Sequence, residues 1–393
     1  MDLFIFNNIE KDACIKGILE KKDAEVLRSI IRFAETEGVT TNSICEYVAV
    51  TLVNDDNILS SLSQAGKTIG SDLYRLALMD MEQIYKKLFA ITIKYSPAGN
   101  ETGFFDGYIQ SIQAMTSAKS AKELLDLLIR HYRGFGSGIL GKYTAYKYDG
   151  QLKGIANTDK TTFDSLIGLE HQKEVLIENT EAFVDGRGAN NVLLFGDRGT
   201  GKSSSVKAVL NMFCDRGLRV IEISKSGIKD IPYLTEYLAN KPNKYIIFLD
   251  DLSFESQDGD YKALKIAMEG QLSAHPENVL IYATSNRRHL IKETFADREG
   301  GEVHVNDNMQ ETLSLAERFG ISLVFSSPGQ KEYLHIVGEL LKKKGFEMNA
   351  DIEKQATVWQ MNYGSKSARC AKQFVAAYAA KNAESQNNPI TEI

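Results

Sequence analysis

Over the first third of the chain, apolar residues recur every three or four positions. Val26, Leu27, Ile30, Ile31 and Ala34 mark one face, and Ser71 to Tyr95 carries a longer one. Leu124, Leu125, Leu127, Leu128 and Tyr132 form a third. This period predicts amphipathic helices to about residue 133. Tyr74, Tyr85 and Phe89 keep the same spacing, which points to core packing. From about Thr161 the rhythm changes. Short apolar runs at Arg219–Ile223, Tyr245–Leu249 and Val279–Thr284, with Val192–Phe195 before them and Ile321–Phe325 after, alternate with helical segments. Strands apolar on both faces and separated by helices predict a five-stranded parallel sheet covered on both sides. After Pro328 the pattern is helical again, at Lys331–Lys343, Ile352–Met361 and Ser365–Lys381, and predicts a helical lid. Between the halves, Tyr143–Tyr148 and Gln151–Ile155 flank Asp149-Gly150, the signature of a small hairpin. The expected division is a mainly helical N-terminal domain at 1–140, a hairpin or linker at 141–160, an α/β domain at 161–328 and a lid at 329–393. No internal repeat is present, and only the last few residues read as disordered.

Composition narrows the class. The chain has 393 residues, 43% hydrophobic and 25% charged, with six prolines, as expected of an ordered globular protein of two or three domains. A net charge of −6 and no basic tail argue against bulk attraction to nucleic acid or an anionic membrane. Cys14, Cys45, Cys214 and Cys370 lie far apart, without a C-x-x-C pair, which fits neither a disulfide framework nor a zinc site. The first residues are acidic and apolar and lack a basic leader region, and no apolar run approaches membrane-spanning length. A cytoplasmic protein without a membrane partner is expected.

The strongest chemical signal follows the first strand of the α/β part. Asn191 to Phe195 leads into Gly196-Asp197-Arg198-Gly199-Thr200-Gly201-Lys202-Ser203-Ser204, a G-x-x-x-x-G-K-S loop. Val206, Val209, Leu210 and Phe213 then mark a helix. Strand, glycine loop and helix together make a phosphate site. The glycines let successive N–H groups wrap an anion, and the helix aims the positive end of its dipole at it. Lys202 reaches the β- and γ-phosphates and the Ser203 hydroxyl ligates Mg²⁺, so a nucleoside triphosphate with Mg²⁺ is the expected ligand.

Two further strand ends carry polar groups. Tyr245 to Leu249 ends in Asp250-Asp251: Asp250 is placed to hold Mg²⁺ opposite Ser203, and Asp251 to act as base or water-orienting group. Glu255, four residues on, is a weaker candidate for that role. Asn286 ends the Val279 strand, where an amide can hydrogen-bond the attacking water or the γ-phosphate. Two look-alikes are set aside. Gly66-Lys67-Thr68 lacks both the first glycine and a preceding strand, and Gly136-x-Gly138-x-x-Gly141 follows a helical segment. Both read as flexible connectors, and Asp55-Asp56 as a solvated pair.

The Gly-Asp-Arg-Gly-Thr-Gly-Lys-Ser loop resembles that of the AAA+ ATPases, as do Phe-Leu-Asp-Asp-Leu-Ser-Phe-Glu, Tyr-Ala-Thr-Ser-Asn-Arg-Arg-His-Leu and Ser-Leu-Ala-Glu-Arg-Phe-Gly. More narrowly they resemble a bacterial AAA+ family of uncharacterised function. The likeness runs from about Thr161 to Ala379. It implies self-association into a ring or partial ring, each pocket completed by a neighbouring subunit. By this resemblance Arg318 matches the arginine finger and Arg369 the lid's sensor 2, while Ile167 and Gly168 belong to the stretch bordering the adenine. A guanidinium suits charge developing on a transferring phosphoryl group. Many AAA+ proteins have Asp-Glu where this chain has Asp250-Asp251; the shorter acid keeps hydrolysis plausible and leaves its speed open. A nucleotide-sensing module with little hydrolysis is the alternative, and a P-loop kinase a more distant one. Ser224 to Asp230 holds no aromatic of the kind found in protein-threading members. Only about twenty residues separate the second and third strands, room for one helix. Arg287-Arg288 and Asp297 to Asp307 could touch DNA or a neighbouring subunit, and equally read as solvated loops. The protein or nucleic-acid target is not written in the sequence.

Overall fold

The computed structural model describes the whole chain except residues 38–43, 92–102, 253, 256–262, 267, 269–275, 287–290, 293–317, 365 and 388–393. The amphipathic segments at the start fold as a helical bundle. It comprises α1 (Ala13–Leu19), α2 (Asp23–Glu37), α3 (Ile44–Asn54), α4 (Ile58–Gln64), α5 (Ser71–Ile84), α6 (Asp106–Thr116) and α7 (Ala121–Gly134). The faces read from periodicity are the buried ones: Val26, Ile30 and Ala34 on α2, and Leu124, Leu128 and Tyr132 on α7, although Leu27 is exposed. Asp12 accepts the backbone N–H groups of Cys14 and Ile15 at the start of α1, Asn57 forms a capping box on α4, and Ser120 caps α7. These side chains supply acceptors that a helix start otherwise lacks. None of the four cysteines is in a disulfide.

A short helix, α8 (Ile139–Lys142), leads to β1 (Ala145–Tyr148) and β2 (Leu152–Gly154). The predicted hairpin is present, with Tyr148 opposite Leu152, yet it is more than a connector. β1 pairs in parallel with β4 (Leu218–Ile223), Tyr146 beside Ile221. The sheet therefore has seven strands where five were expected, in the order β2-β1-β4-β5-β7-β3-β9. The others are β3 (Val192–Gly196), β5 (Lys244–Leu249), β7 (Val279–Ser285) and β9 (Ile321–Phe325). All five expected strands are parallel to their neighbours, and the hairpin covers the otherwise open edge of β4. A separate two-stranded parallel pair joins β6 (Phe254–Glu255) to β8 (Ile291–Lys292).

Alternate residues of each strand feed opposite cores. Leu193, Ile221, Ile247 and Ile281 face Ile231, Leu234 and Leu238 of α11 (Ile231–Leu238). Val192, Leu194, Ile246 and Tyr282 face Leu176 and Phe183 of α9 (Glu170–Val184), with Val206, Val209 and Phe213 of α10 (Lys202–Phe213). Each such apolar side chain contributes about 1.5–3 kcal/mol by leaving water. After β9 come α12 (Gln330–Lys343), α13 (Ala350–Tyr363) and α14 (Ala368–Asn387), packed around Tyr333, Val337, Ala356 and Phe374. Among the described residues no helix is long and apolar enough to cross a membrane.

The helical bundle meets the sheet around Arg219, which is 1% exposed on β4. Its guanidinium lies 4.8 Å from the Phe105 ring centroid and donates to the Cys214 and Leu218 carbonyls, each at 2.9 Å. Nearby, Lys142 pairs with Glu37 at 2.8 Å and Asn243 donates to the Phe135 carbonyl. Replacing a buried, well-packed side chain leaves a cavity and unpaired carbonyls. Arg219→Ala is therefore expected to lower the unfolding free energy by about 2–4 kcal/mol in urea titrations. A loss below about 0.5 kcal/mol, the level of an ordinary surface site, would contradict this role.

Candidate functional site

The phosphate loop starts where β3 runs out of partners. Gly196 has φ +132°, and a Cβ there would lie 2.1 Å from the Phe325 carbonyl oxygen of β9, so only glycine lets the two backbones approach. Gly201, at φ +110°, turns the chain into α10. The loop braces itself: the Thr200 hydroxyl donates to the Asp197 carbonyl at 2.8 Å, and Ser205 to the Gly201 carbonyl at 3.0 Å. Asp197 N–H donates to the Phe325 carbonyl, and its carboxylate accepts the Ser327 N–H at 2.9 Å. The hydrogen bond from Ser327 holds the Asp197 carboxyl below its ordinary value. Asp197 and Gly196, both expected at the ligand, tie the loop to β9 and are not among the residues lining the cavity described next.

A cavity of about 680 Å³ opens above the loop. Arg198, Gly199, Thr200, Gly201, Lys202, Ser203 and Ser204 form its floor. The first N–H groups of α10 have no intrahelical acceptor and are available to an anion. The Lys202 ammonium donates to the Gly196 and Asp197 carbonyls at 2.8 and 2.6 Å and to Asn286 Oδ1 at 3.1 Å. Burial lowers its pKa, while Asp197, Asp251 and Asp250 oppose that shift. An added anion would favour the charged form further.

The acids arrive from β5. Ser203 Oγ donates to Asp250 Oδ1 at 2.6 Å, and the Thr284 hydroxyl of β7 donates to the same oxygen at 2.6 Å. Asp251 adopts φ +53°, a left-handed conformation that costs a non-glycine residue about 1–3 kcal/mol. Its N–H donates to Thr284 Oγ1 at 2.8 Å, and its carboxylate accepts a short hydrogen bond from the Asn286 amide. Asn286 thus touches both Lys202 and Asp251. The neighbouring hydroxyl and carboxylate oxygens of Ser203 and Asp250 suit Mg²⁺, which takes one or two protein oxygens and completes its shell with phosphate and water. Among the described residues no group of three or more His, Cys, Asp or Glu side chains could hold a metal by itself.

The C-terminal helices close one side. Arg369 and Lys372 of α14 line the cavity, as do Ile336 and Leu340 of α12. Arg369 N–H donates to the Gly199 carbonyl at 3.2 Å, which docks α14 on the phosphate loop. Ile167 lines the cavity between Leu166 and Leu169, whereas Gly168, at φ +76°, turns the chain there without reaching it. Glu255 lies in β6, with its side chain outside the described part, and Arg287-Arg288 and Asp297–Asp307 also fall outside it. Arg318 precedes β9 at the end of the sheet opposite the phosphate loop, because Val192 pairs with Ile321 and Gly196 with Phe325. It does not line this cavity.

Sequence reasoning missed Thr284, Lys372 and the apolar pair Ile336 and Leu340. Lys372 stands one helical turn beyond Arg369, a spacing that places both on one face. Neither look-alike motif joins a strand to a helix. Gly66-Lys67-Thr68 is the turn ending α4, whereas of the second motif only Gly136 and Gly138 connect α7 to α8, and Gly141, expected in a flexible connector, lies buried within α8. The first borders a different concavity, of about 840 Å³, between the helical bundle and the α11–β5 turn.

A parallel sheet with a glycine-rich loop and helix after one strand, paired acids after a second and an amide after a third has the architecture of a P-loop α/β fold. The chain belongs to the family described as "Protein of unknown function (DUF815)", whose model matches residues 141–382. Among solved structures it is similar to the FIGL-1 AAA domain, at 19% identity and TM-score 0.38, over 60% of this chain and 78% of that one. The FIGL-1 AAA domain in complex with ADP matches at 19% identity and TM-score 0.35, over 51% and 67%. The Thermotoga maritima RuvB Holliday junction branch migration motor matches at 15% identity and TM-score 0.33, over 55% and 72%. A search of curated proteins found no match.

The geometry separates the two acids. Asp250→Asn is expected to weaken the Mg²⁺ dependence of ATP binding, whereas Asp251→Asn leaves Mg·ATP binding nearly intact and slows hydrolysis. Calorimetry with a slowly hydrolysed ATP analogue, with and without Mg²⁺, together with a phosphate-release assay, checks both. Should Glu255→Gln slow turnover while Asp251→Asn does not, the water-activating carboxylate is Glu255.

Proposed function

We propose that the chain binds Mg·ATP and hydrolyses it as an AAA+ ATPase acting in the cytoplasm within a ring or partial ring of copies. The observation that carries this reading is the meeting of Lys202, Ser203, Asp250, Asp251 and Asn286 at one end of the sheet, linked through Thr284 by hydrogen bonds of 2.6–3.1 Å and one shorter contact. Bound Mg²⁺ would neutralise charge on the β- and γ-phosphates, held by Ser203 and Asp250. Lys202 and the N–H groups at the start of α10 bind the phosphates. Asp251 orients the attacking water and accepts its proton, with Asn286 fixing that carboxylate. The α14 residue Arg369 reports the phosphates to the C-terminal helices, which act as a lid. Ile167, Leu166 and Leu340 offer an apolar wall to the base. Arg318, placed away from its own phosphate loop, serves the pocket of a neighbouring copy.

A second reading, a switch with slow turnover, is favoured by one observation. Asp251 gives its carboxylate to Asn286 and is one methylene shorter than the glutamate usual at this place. In either reading nucleotide drives conformational change toward a protein or nucleic-acid target.

An arginine supplied in trans stabilises charge that grows only in the transition state, so it acts on turnover more than on binding. Arg318→Ala is expected to bind ATP nearly normally and to lose on the order of 10³-fold in turnover. Mixing it with Lys202→Ala, each inactive alone, restores part of the ATPase activity in mixed assemblies. Co-assembly of the two without any recovered activity would rule out the trans arrangement.

A further inference from the structure

Resting on the Mg·ATP reading of this cavity, we propose that Thr284 is a positioning residue that sets the aim of both Asp250 and Asp251. Thr284 is 1% exposed, on the strand between β5 and β3. Its one hydroxyl hydrogen goes to Asp250 Oδ1 at 2.6 Å, and its lone pair accepts the Asp251 N–H at 2.8 Å. Its carbonyl accepts the Leu252 N–H at 2.6 Å. One residue therefore holds three consecutive positions of the turn after β5.

The β5–β7 register explains why. Leu249 lies opposite Ala283, so the next step brings Asp250 beside Thr284. Asp250 Oδ1 receives two hydroxyls, from Ser203 and Thr284, which leaves its carboxylate little freedom to rotate. Asp251 keeps its left-handed backbone because two successive N–H groups, its own and that of Leu252, are tied to Thr284. A strained conformation of this kind persists only where its surroundings over-determine it. Asn286 follows two residues later, just past the end of β7, and its amide donates to the Asp251 carboxylate. β7 and the residue that follows it thus fix Asp251 at both its backbone and its side chain.

The role requires the hydroxyl and not merely the bulk. Thr284→Val keeps the shape and removes both hydrogen bonds of the side chain, and Thr284→Ser keeps the hydroxyl. In Thr284→Val, kcat for Mg·ATP and the affinity of Mn²⁺ for the protein–ADP complex, read from the free-Mn²⁺ EPR signal, should each fall by about 10–100-fold. Metal-free ADP affinity should change by less than about threefold, since that contact is not the one removed. Thr284→Ser should recover most of both losses. If Thr284→Val does not fold, judged by its thermal transition, Thr284→Cys provides the same comparison with a much weaker donor. Wild-type kcat and Mn²⁺ affinity in Thr284→Val would overturn the proposal and leave the ATPase reading standing. Equal damage in Thr284→Ser and Thr284→Val would also overturn it. Failure of the wild-type protein to bind Mn·ADP at all would instead remove the nucleotide reading, and Thr284's role with it.

Discussion

Everything at the site depends on five strands running in one direction. Because β3, β4, β5, β7 and β9 are parallel, their carboxyl ends lie along one edge, and whatever follows each strand is delivered there. Gly196, Asp250, Asn286 and the end of β9 are far apart in the chain and neighbours in space for that reason alone. The buried side chains lock the register, since a slip by one residue would turn each strand's core residues to the opposite face. The site is an outcome of the sheet's packing more than of any loop.

Within that edge the polar groups form one connected chain. Lys202 meets Asn286, Asn286 meets Asp251, Asp251 meets Thr284, Thr284 meets Asp250, and Asp250 meets Ser203. Such bonds strengthen one another away from bulk water, and loss of one leaves its partner unsatisfied at a cost of about 1–3 kcal/mol. The burial of Thr284 and Lys202 places much of this chain in that setting. Asp250 and Asp251, by contrast, are exposed at the cavity surface.

The phosphate loop was legible in the sequence because its requirements are local: glycines where the backbone turns, then a lysine and a hydroxyl at the helix start. The paired acids and Asn286 were legible because each ends an apolar run. The bundle helices were legible from period alone. What escaped is what depends on pairing between distant segments. Nothing in Tyr143–Tyr148 says that β1 lies beside β4, so the sheet was expected to have two strands fewer. Asp197 reads as part of the phosphate cradle, and only the approach of β9 turns its carboxylate toward Ser327. Thr284 reads as one more β-branched strand residue; its hydroxyl gains meaning only from the register with β5. Ile336 and Leu340 reach the cavity through the packing of α12 against α14 and the docking of α14 at Gly199, which no local pattern encodes.

The proposed ATPase function requires that these strand ends form one site for Mg·ATP. Calorimetric titration of the wild-type protein with a slowly hydrolysed ATP analogue, repeated without Mg²⁺ and with Lys202→Ala, tests it most directly. Saturable binding is expected, with one nucleotide per chain, weakened when Mg²⁺ is withdrawn and abolished by Lys202→Ala while that variant keeps its thermal transition. Unchanged affinity in Lys202→Ala, or no binding by the wild-type protein, would contradict it.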